Sequence, residues 1–500
     1  MMKQLLYKST RGEGGVVDAA AAILQGIAPD GGLYVPAAIP AAAWPLEELA
    51  QLTYQELACR ILSLYFTCFS REEIKEAVNK AYDAKFAVPE IAPLVTHNNI
   101  HFLELFHGPT LAFKDMALSI LPHLLKLAAE KLGTGKEIVI LTATSGDTGK
   151  AALEGFAGVA GTRIIVFFPQ HGVSEVQKRQ MITQTGDNTH VIGIEGNFDD
   201  AQSGVKAMFT DESLRRRLDS HGYLFSSANS INIGRLVPQI VYYYWAYLQL
   251  VRKGAIAAGE AVNMVVPTGN FGNILAAWYA RSMGLPLARL ICASNSNNVL
   301  FDFFTTGVYN RRRPFYVTIS PSMDILVSSN LERLLYHAAG ENSQLVRSWM
   351  EDLAQKGVYT LPPEVQNRLN AFAAGYASEE ETKEAIRSLY AASGYLVDPH
   401  TAVGVFVLEK YRQESGDSLP AVVAATASPY KFPGAVLSAL DPQFAGQDDF
   451  ALFGELAKVT GIPVPPAAAG LEKRPVVHTT VCRREEMQQV VEDILGLAGR

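Results

Sequence analysis

The chain has 500 residues, 48% of them hydrophobic and 19% charged, a balance that belongs to a folded globular protein and excludes a disordered one. Lys and Arg number 43 against 50 Asp and Glu, so the formal charge is −7, which excludes a general polyanion binder but not a local anion site. Cys59, Cys68, Cys292 and Cys482 form no C-x-x-C pair and the histidines show no H-E-x-x-H spacing, so neither a disulfide framework nor a metal site is indicated.

At the N-terminus only Leu5, Leu6 and Tyr7 are clustered apolar residues, too few for a signal peptide, and a protein of the reducing cytoplasm is expected. Residues 1–95 read as mostly helical. Ser70 and Glu73 stand at capping-box spacing, followed by Ile74, Val78 and Ala81 along one helical face. From Asn99 onward short β-rich runs alternate with amphipathic helices. HFLEL (101–105) reads as a strand, and a helix follows from about Met116 to Leu132, which Pro122 should kink or shorten. EIVILTAT (137–144) and RIIVFFP (163–169) read as strands around a helix that starts after Gly149. The densest apolar run, IVYYYWAYLQLV (240–251), is too short to span a membrane and contains Gln249. AVNMVVP (261–267), a Gly/Asn loop, a helix near Asn273–Met283 and ARLICAS (288–294) repeat the pattern. Such alternation predicts parallel sheets built from βαβ units. GIPVPPAAAG (461–470) reads as a linker before a short tail, giving a division into residues 1–95, 96–455 and 456–500.

Two glycine-rich turns carry the first chemical signal. SGDTG (145–149) and TGNFGN (268–273) each join a strand to a helix, where successive N–H groups and the helix dipole can hold an anion. An ordinary strand-to-helix turn would look the same. Neither contains the G-x-G of a dinucleotide fingerprint, and a P-loop ending at Lys150 would need glycine at Thr144 and Ser or Thr at Ala151. The second signal is Lys114, which follows Gly108-Pro109 and sits between Phe113 and Asp115 at another strand-to-helix junction. Ligand sites of open α/β sheets lie outside the carboxyl ends of strands, so lysine and loops can converge there. A lone lysine is usually solvated; a desolvated one beside a phosphate cradle is what pyridoxal phosphate requires. In ATASPYKF (425–432) a small hydroxyl at a strand end could meet a heteroaromatic nitrogen, although Ser428 reads equally well as a helix cap.

These segments, with STRG (9–12), GIAPDGGLYVP (26–36), GPTLAFKD (108–115), SANSINIGRLVPQIVYY (227–243), SPSMDILVSSNLERLL (320–335), DPHTAVG (398–404) and TASPYKF (426–432), run over nearly the whole chain. Together they resemble the threonine synthase family, among the pyridoxal-phosphate enzymes of the tryptophan-synthase-β type. The resemblance implies an α/β protein of the two-lobed fold type II, with an N-terminal mostly helical domain. It implies pyridoxal 5'-phosphate held on Lys114 as a Schiff base. Gly269, Asn270, Phe271, Gly272 and Asn273 would hold its phosphate, and Thr426 would meet its pyridine nitrogen. Ser145, Gly146, Asp147, Thr148 and Gly149 correspond to the loop for the substrate carboxylate, with Asp147 near the cofactor's phenolic oxygen. Lys114 is the expected catalytic residue.

The implied reaction converts O-phospho-L-homoserine and water to L-threonine and phosphate by γ-elimination and β-addition. Arg11, Lys178 and Arg313 are candidates for the substrate phosphate, each with a structural alternative. His400 and Asp324 read better as structural, and Ser428 stands where some relatives have histidine. Two other readings remain: a phospho-lyase or dehydratase on the same scaffold that releases 2-oxobutyrate, and a non-catalytic metabolite-binding α/β protein. The expected partner is the small-molecule substrate, with neither nucleic acid nor membrane, and both monomer and homodimer stay open.

Overall fold

In the computed structural model, which describes residues 4–144, 146–171 and 173–497, two sheets of mostly parallel strands accompany a long buried helix, Ile233–Arg252. The larger sheet runs Phe372–Tyr376, Leu287–Ser294, Val262–Pro267, Ala421–Ala425, Ile100–Glu104 and Leu94–His97; only the last strand is antiparallel. The smaller sheet runs Val481–Arg483, Thr189–Glu195, Thr162–Pro169, Glu137–Ala143 and Tyr223–Ser226, all parallel. All six residues of Val262–Pro267 and all five of Ala421–Ala425 are buried, as befits strands covered by helices on both faces. The runs read as strands in the sequence are strands, within a residue or two. The strand Leu94–His97 was not legible, since its partner is reached through Asn98 and Asn99, both at positive φ in a two-residue hairpin turn.

Local signals hold at the N-terminal end. Ser70 Oγ accepts from Glu73 N (3.1 Å) and Glu73 Oε2 accepts from Ser70 N (2.6 Å), which starts the helix Arg71–Ala81. Beside the helices Ala19–Gln25 and Tyr54–Tyr65 lies a small antiparallel sheet of Val16–Val17, Tyr7–Ser9 and Tyr34–Pro36, which the mostly helical reading omits. Pro122 separates a short helix, Asp115–Leu118, from Leu121–Lys131, and stands in the first turn of the latter, where a missing N–H costs nothing. The apolar run at 240–251 lies within Ile233–Arg252, which packs on the helices Tyr54–Tyr65, Asp115–Leu118 and Gly272–Ser282. No helix among the described residues is long and apolar enough to cross a membrane.

The C-terminal stretch is built into the molecule rather than trailing from it. Val481–Arg483 adds an edge strand to the smaller sheet, and the helix Met487–Ile494 packs on Phe198–Thr210. Arg217 holds Glu492 through its two terminal guanidinium nitrogens, at 2.7 and 2.5 Å. Composition alone does not reveal so short a strand, because its stability comes from the neighbour it pairs with.

The helix Asp147–Phe156 meets Asp115–Leu118 closely at Gly155, where a Cβ would lie 2.1 Å from the carbonyl oxygen of Leu118. Gly155→Ala is therefore expected to cost about 1–3 kcal/mol, read as a lower urea midpoint, because backbone rather than a flexible side chain must give way.

Candidate active site between the two sheets

The chain leaves strand Ile100–Glu104 and reaches Lys114 through a tightly bonded turn. Thr110 donates its N–H and hydroxyl to Asp115 (2.8 and 2.6 Å), and Leu111 takes φ 60°. Burial pushes the Asp115 carboxyl up to about 6, even against those two bonds. Phe113 N donates to Thr426 O at 2.8 Å and Ser428 N to Leu111 O at 3.0 Å, so the turn is stapled to the segment that leaves strand Ala421–Ala425. Lys114 then caps the helix Asp115–Leu118, its side chain 12% exposed.

Lys114 Nζ donates to Asp147 Oδ2 (3.2 Å) and to Ser322 Oγ (3.1 Å). Burial lowers its pKa, and the positive Lys431 and Arg235 push the same way against the opposing pull of Asp147. Asp147 is the hub of the site. Its Oδ1 accepts from Gln177 Nε2 (2.8 Å) and pairs with Lys431 Nζ (3.0 Å), while Ser322 Oγ donates to Oδ2 (3.0 Å). Burial by itself would raise the Asp147 carboxyl, yet Lys114, Lys431 and Gln177 hold it well below the usual carboxylate range. Lys431 is fully buried and also donates to Thr110 O (2.8 Å), tying this hub to the Lys114 turn.

The second glycine loop meets the same hub through Ser322. A Cβ on Gly269 would lie 2.4 Å from the Ser322 carbonyl oxygen, a backbone approach that only glycine permits. Gly269 O accepts from Ser328 Oγ (2.6 Å), and Asn270 O accepts from Asn330 N and Nδ2 (3.1 and 3.0 Å). Phe271 takes φ 64° to open the helix Gly272–Ser282. Among the described residues the N–H groups of 269–272 donate no hydrogen bond. Asn273 Oδ1 accepts from Tyr242 and Tyr243 (2.5 and 2.6 Å), which leaves its buried Nδ2 unpartnered. Unpaired donors at a helix N-terminus, with no carboxylate among them, suit a phosphate. Thr426 is buried and its hydroxyl makes no hydrogen bond among the described residues. A buried amine, a donor-rich loop and a free hydroxyl thus fit pyridoxal phosphate.

The structure brings Lys114, Asp147, Thr426 and the 269–273 loop together. In the other glycine loop Ser145 lies outside the described residues. Gly146 N and Gly149 N both donate to Thr144 Oγ1 (3.0 and 2.9 Å), which commits them internally. Arg11 and Arg313 are already paired: Arg11 makes two bonds to Glu332 (3.0 and 2.9 Å), and Arg313 pairs with Asp302 (2.8 Å). Among the described residues Lys178 makes no bond to Lys114, Asp147 or the 269–273 loop. Asp324 clasps its own loop, accepting from Asn295, Asn297 and Thr318. Ser428 Oγ accepts from Tyr430 N (3.3 Å), the cap its sequence also suggested.

Four side chains at the hub were not singled out in the sequence. Ser322 and Lys431 lie inside segments that carry the family resemblance, and Gln177 in none, but nothing in the local sequence marks these three polar side chains as meeting one another. Arg235 is 4% exposed and donates to Ala228 O (2.9 Å); among the described residues its buried Nε has no partner and no acidic side chain lies within ion-pair reach. His400 does more than start its helix. Asp398 caps Pro399–Ser415 and accepts from His400 Nδ1 (2.6 Å), which turns Nε2 into the acceptor for Ser322 N (3.1 Å).

Fold and site define a pyridoxal-phosphate-dependent enzyme, and residues 86–426 match the family model described as "Pyridoxal-phosphate dependent enzyme". Residues 6–82 match "Threonine synthase N terminus" and 401–494 "Threonine synthase, C-terminal". The chain is 42% identical over 436 residues to the threonine synthase of Pseudomonas aeruginosa, covering 86% of this chain and 89% of that one. It is 41% identical to threonine synthase-like 1 of Homo sapiens over 84% of this chain, and spans only 57% of that protein's length. The crystal structure of PLP-bound threonine synthase from Brucella melitensis superposes with a TM-score of 0.87 at 38% identity, covering 99% of this chain and all of that one. This chain belongs to the threonine synthase family, and its cofactor is pyridoxal 5'-phosphate.

Proposed function

We propose that this protein converts O-phospho-L-homoserine and water to L-threonine and phosphate. The observation that carries the reading is the buried Lys114 amine, set between Asp147 and Ser322 where the 269–273 loop arrives, in a chain of this family. Lys114 would hold pyridoxal phosphate, residues 269–273 its phosphate and Thr426 its ring nitrogen. When bound, the ring supplies an electron sink for negative charge left at a substrate carbon.

The chain's own residues then manage protons and anions. Because burial disfavours its charged form, Lys114 Nζ can take a proton from a substrate carbon and return it. Lys431 keeps Asp147 ionised while Lys114 changes its charge, so the hub never becomes a lone buried carboxylate. The substrate carboxylate would meet the N-terminal turn of Asp147–Phe156, using Asp147 N and Thr148. Arg235, rather than Arg11 or Arg313, is the cation with unspent capacity for the substrate phosphate. Asp398 and His400 position Ser322 through its N–H.

The division into 1–95, 96–455 and 456–500 belongs to the same reading, as does work in the cytoplasm, supported by four unpaired thiols. Supplied with phosphohomoserine, the purified holoenzyme is expected to release threonine and phosphate in equal amounts. Oxo-acid and ammonia without threonine would replace this reading with the phospho-lyase. No turnover and no visible cofactor absorbance would leave a metabolite-binding protein.

A further inference from the structure

A second cavity, of about 660 Å³, adjoins the Lys114 turn. Lys114, Asp147, Thr426 and residues 269–273 are not among its walls. Its walls include Gly108, Pro109 and Leu111, the segments 428–430 and 394–396, the end of strand Ile100–Glu104 with the residues that follow it, and the proline-rich stretch from Ile462 to Ala467. The stretch that reads as a linker therefore closes a pocket, held there by Tyr430 OH donating to Ile462 O.

The volume is in the range of small-molecule sites, and most of the surface is apolar. Phe106, Tyr395 and Tyr430 supply aromatic faces, and the His97 ring stacks on Tyr395 at 4.3 Å. One carboxylate lies among them. Glu104 Oε1 accepts from Tyr395 OH and Oε2 from His107 Nε2, both at 2.8 Å. Burial and the neighbouring Glu104 raise the Tyr395 phenol far above its ordinary value, so it stays a donor. Lys85 lends only its stem, because its ammonium donates to Lys80 O (2.6 Å) beside Asp83 (3.4 Å). Glu104 is the only acidic side chain among the described residues lining the cavity, and no lysine or arginine answers it.

We propose that this cavity is a second small-molecule site that takes an arylalkylammonium, its ring among Phe106, Tyr395 and Tyr430 and its cation on Glu104. Each carboxylate oxygen has a lone pair beyond the one its donor uses, and a cation there is also attracted to the aromatic faces. The occupant would abut Gly108–Leu111 and Ser428–Tyr430, the two loops stapled by the bonds of Phe113 to Thr426 and Ser428 to Leu111. Its presence is thus felt at Lys114, and this coupling rests on the site proposed above.

The test is calorimetric titration of the holoenzyme with gramine, an indole bearing a tertiary ammonium that cannot condense with the cofactor's aldehyde. Indole-3-acetate, with a carboxylate in place of the ammonium, is the counterpart. Gramine is expected to bind one site per chain, and indole-3-acetate at least about tenfold more weakly. Glu104→Gln should weaken gramine by a similar factor, and Ala467→Trp, which fills the cavity from the proline-rich wall, should abolish its binding. Absence of gramine binding, equal binding of the two indoles, or undiminished binding to folded Ala467→Trp would overturn the proposal. If Glu104→Gln does not fold, Ala467→Trp and the paired indoles still decide. The titration reads binding alone, so its failure and failure of the threonine assay are separate results.

Discussion

Lys114→Ala is expected to abolish the visible absorbance of the bound cofactor and to lower kcat by at least about a thousandfold, the scale of losing a nucleophile and a proton carrier together. The side chain is 12% exposed, and among the described residues its Nζ has Asp147 and Ser322 as partners, neither of them an amine. Lys431 is the nearest substitute in kind, but its amine is committed to Asp147 and Thr110 O. Burial also fixes the direction of a pH effect. A protonated amine cannot attack an aldehyde, and the Lys114 pKa is lowered from 10.5, so cofactor capture by the apoenzyme should rise with pH through a midpoint below that value. Stopped-flow absorbance of apoenzyme mixed with pyridoxal phosphate measures the midpoint. Threonine production by Lys114→Ala at the wild-type rate would refute the assignment.

Asp147→Ala should be the most destabilising change in the site. It strips the shared counter-charge from Lys114 and Lys431, and breaking a buried pair typically costs about 3–5 kcal/mol because an uncompensated charge stays behind. Urea denaturation at pH 7 is expected to show that loss. The sign of its pH dependence follows from the depressed carboxyl. In the folded protein Asp147 stays ionised well below the ordinary value of 3.8, so its contribution is complete above that value. As pH falls below it, the unfolded chain takes up a proton that the folded one refuses, and the contribution drains away. The gap between wild type and Asp147→Ala should therefore narrow in acid. A gap that widened there would mean that Asp147 is not the ionised hub.

Much of this was legible because it is local. The Ser70–Glu73 box and the break at Pro122 depend on spacing along one helix, and the inner strands Glu137–Ala143, Thr162–Pro169, Val262–Pro267 and Leu287–Ser294 announce themselves as apolar runs. Lys114 and the 269–273 loop were legible because they sit at strand-to-helix junctions, where α/β folds place ligands. Ser322, Lys431, Gln177 and Arg235 were not, because a polar side chain becomes functional only when the fold buries it beside others. Lys114 and Ser322 are 208 positions apart, and no periodicity reports such a contact. Arg11 and Arg313 looked equally eligible in sequence; only their partners, Glu332 and Asp302, remove them.

The balance of 48% hydrophobic residues and a charge of −7 determined a folded protein without broad polyanion affinity, and the motifs determined its family. Those properties are sums and spacings along one chain. Which cations stand free, which glycines must be glycine, and whether the last segment hangs loose or pairs are decided by packing. Gly269 must be glycine because Ser322 lies against it, and 481–483 is a strand because Thr189–Glu195 has an open edge. Each of these depends on distances between residues far apart in sequence, which exist only once the chain has folded.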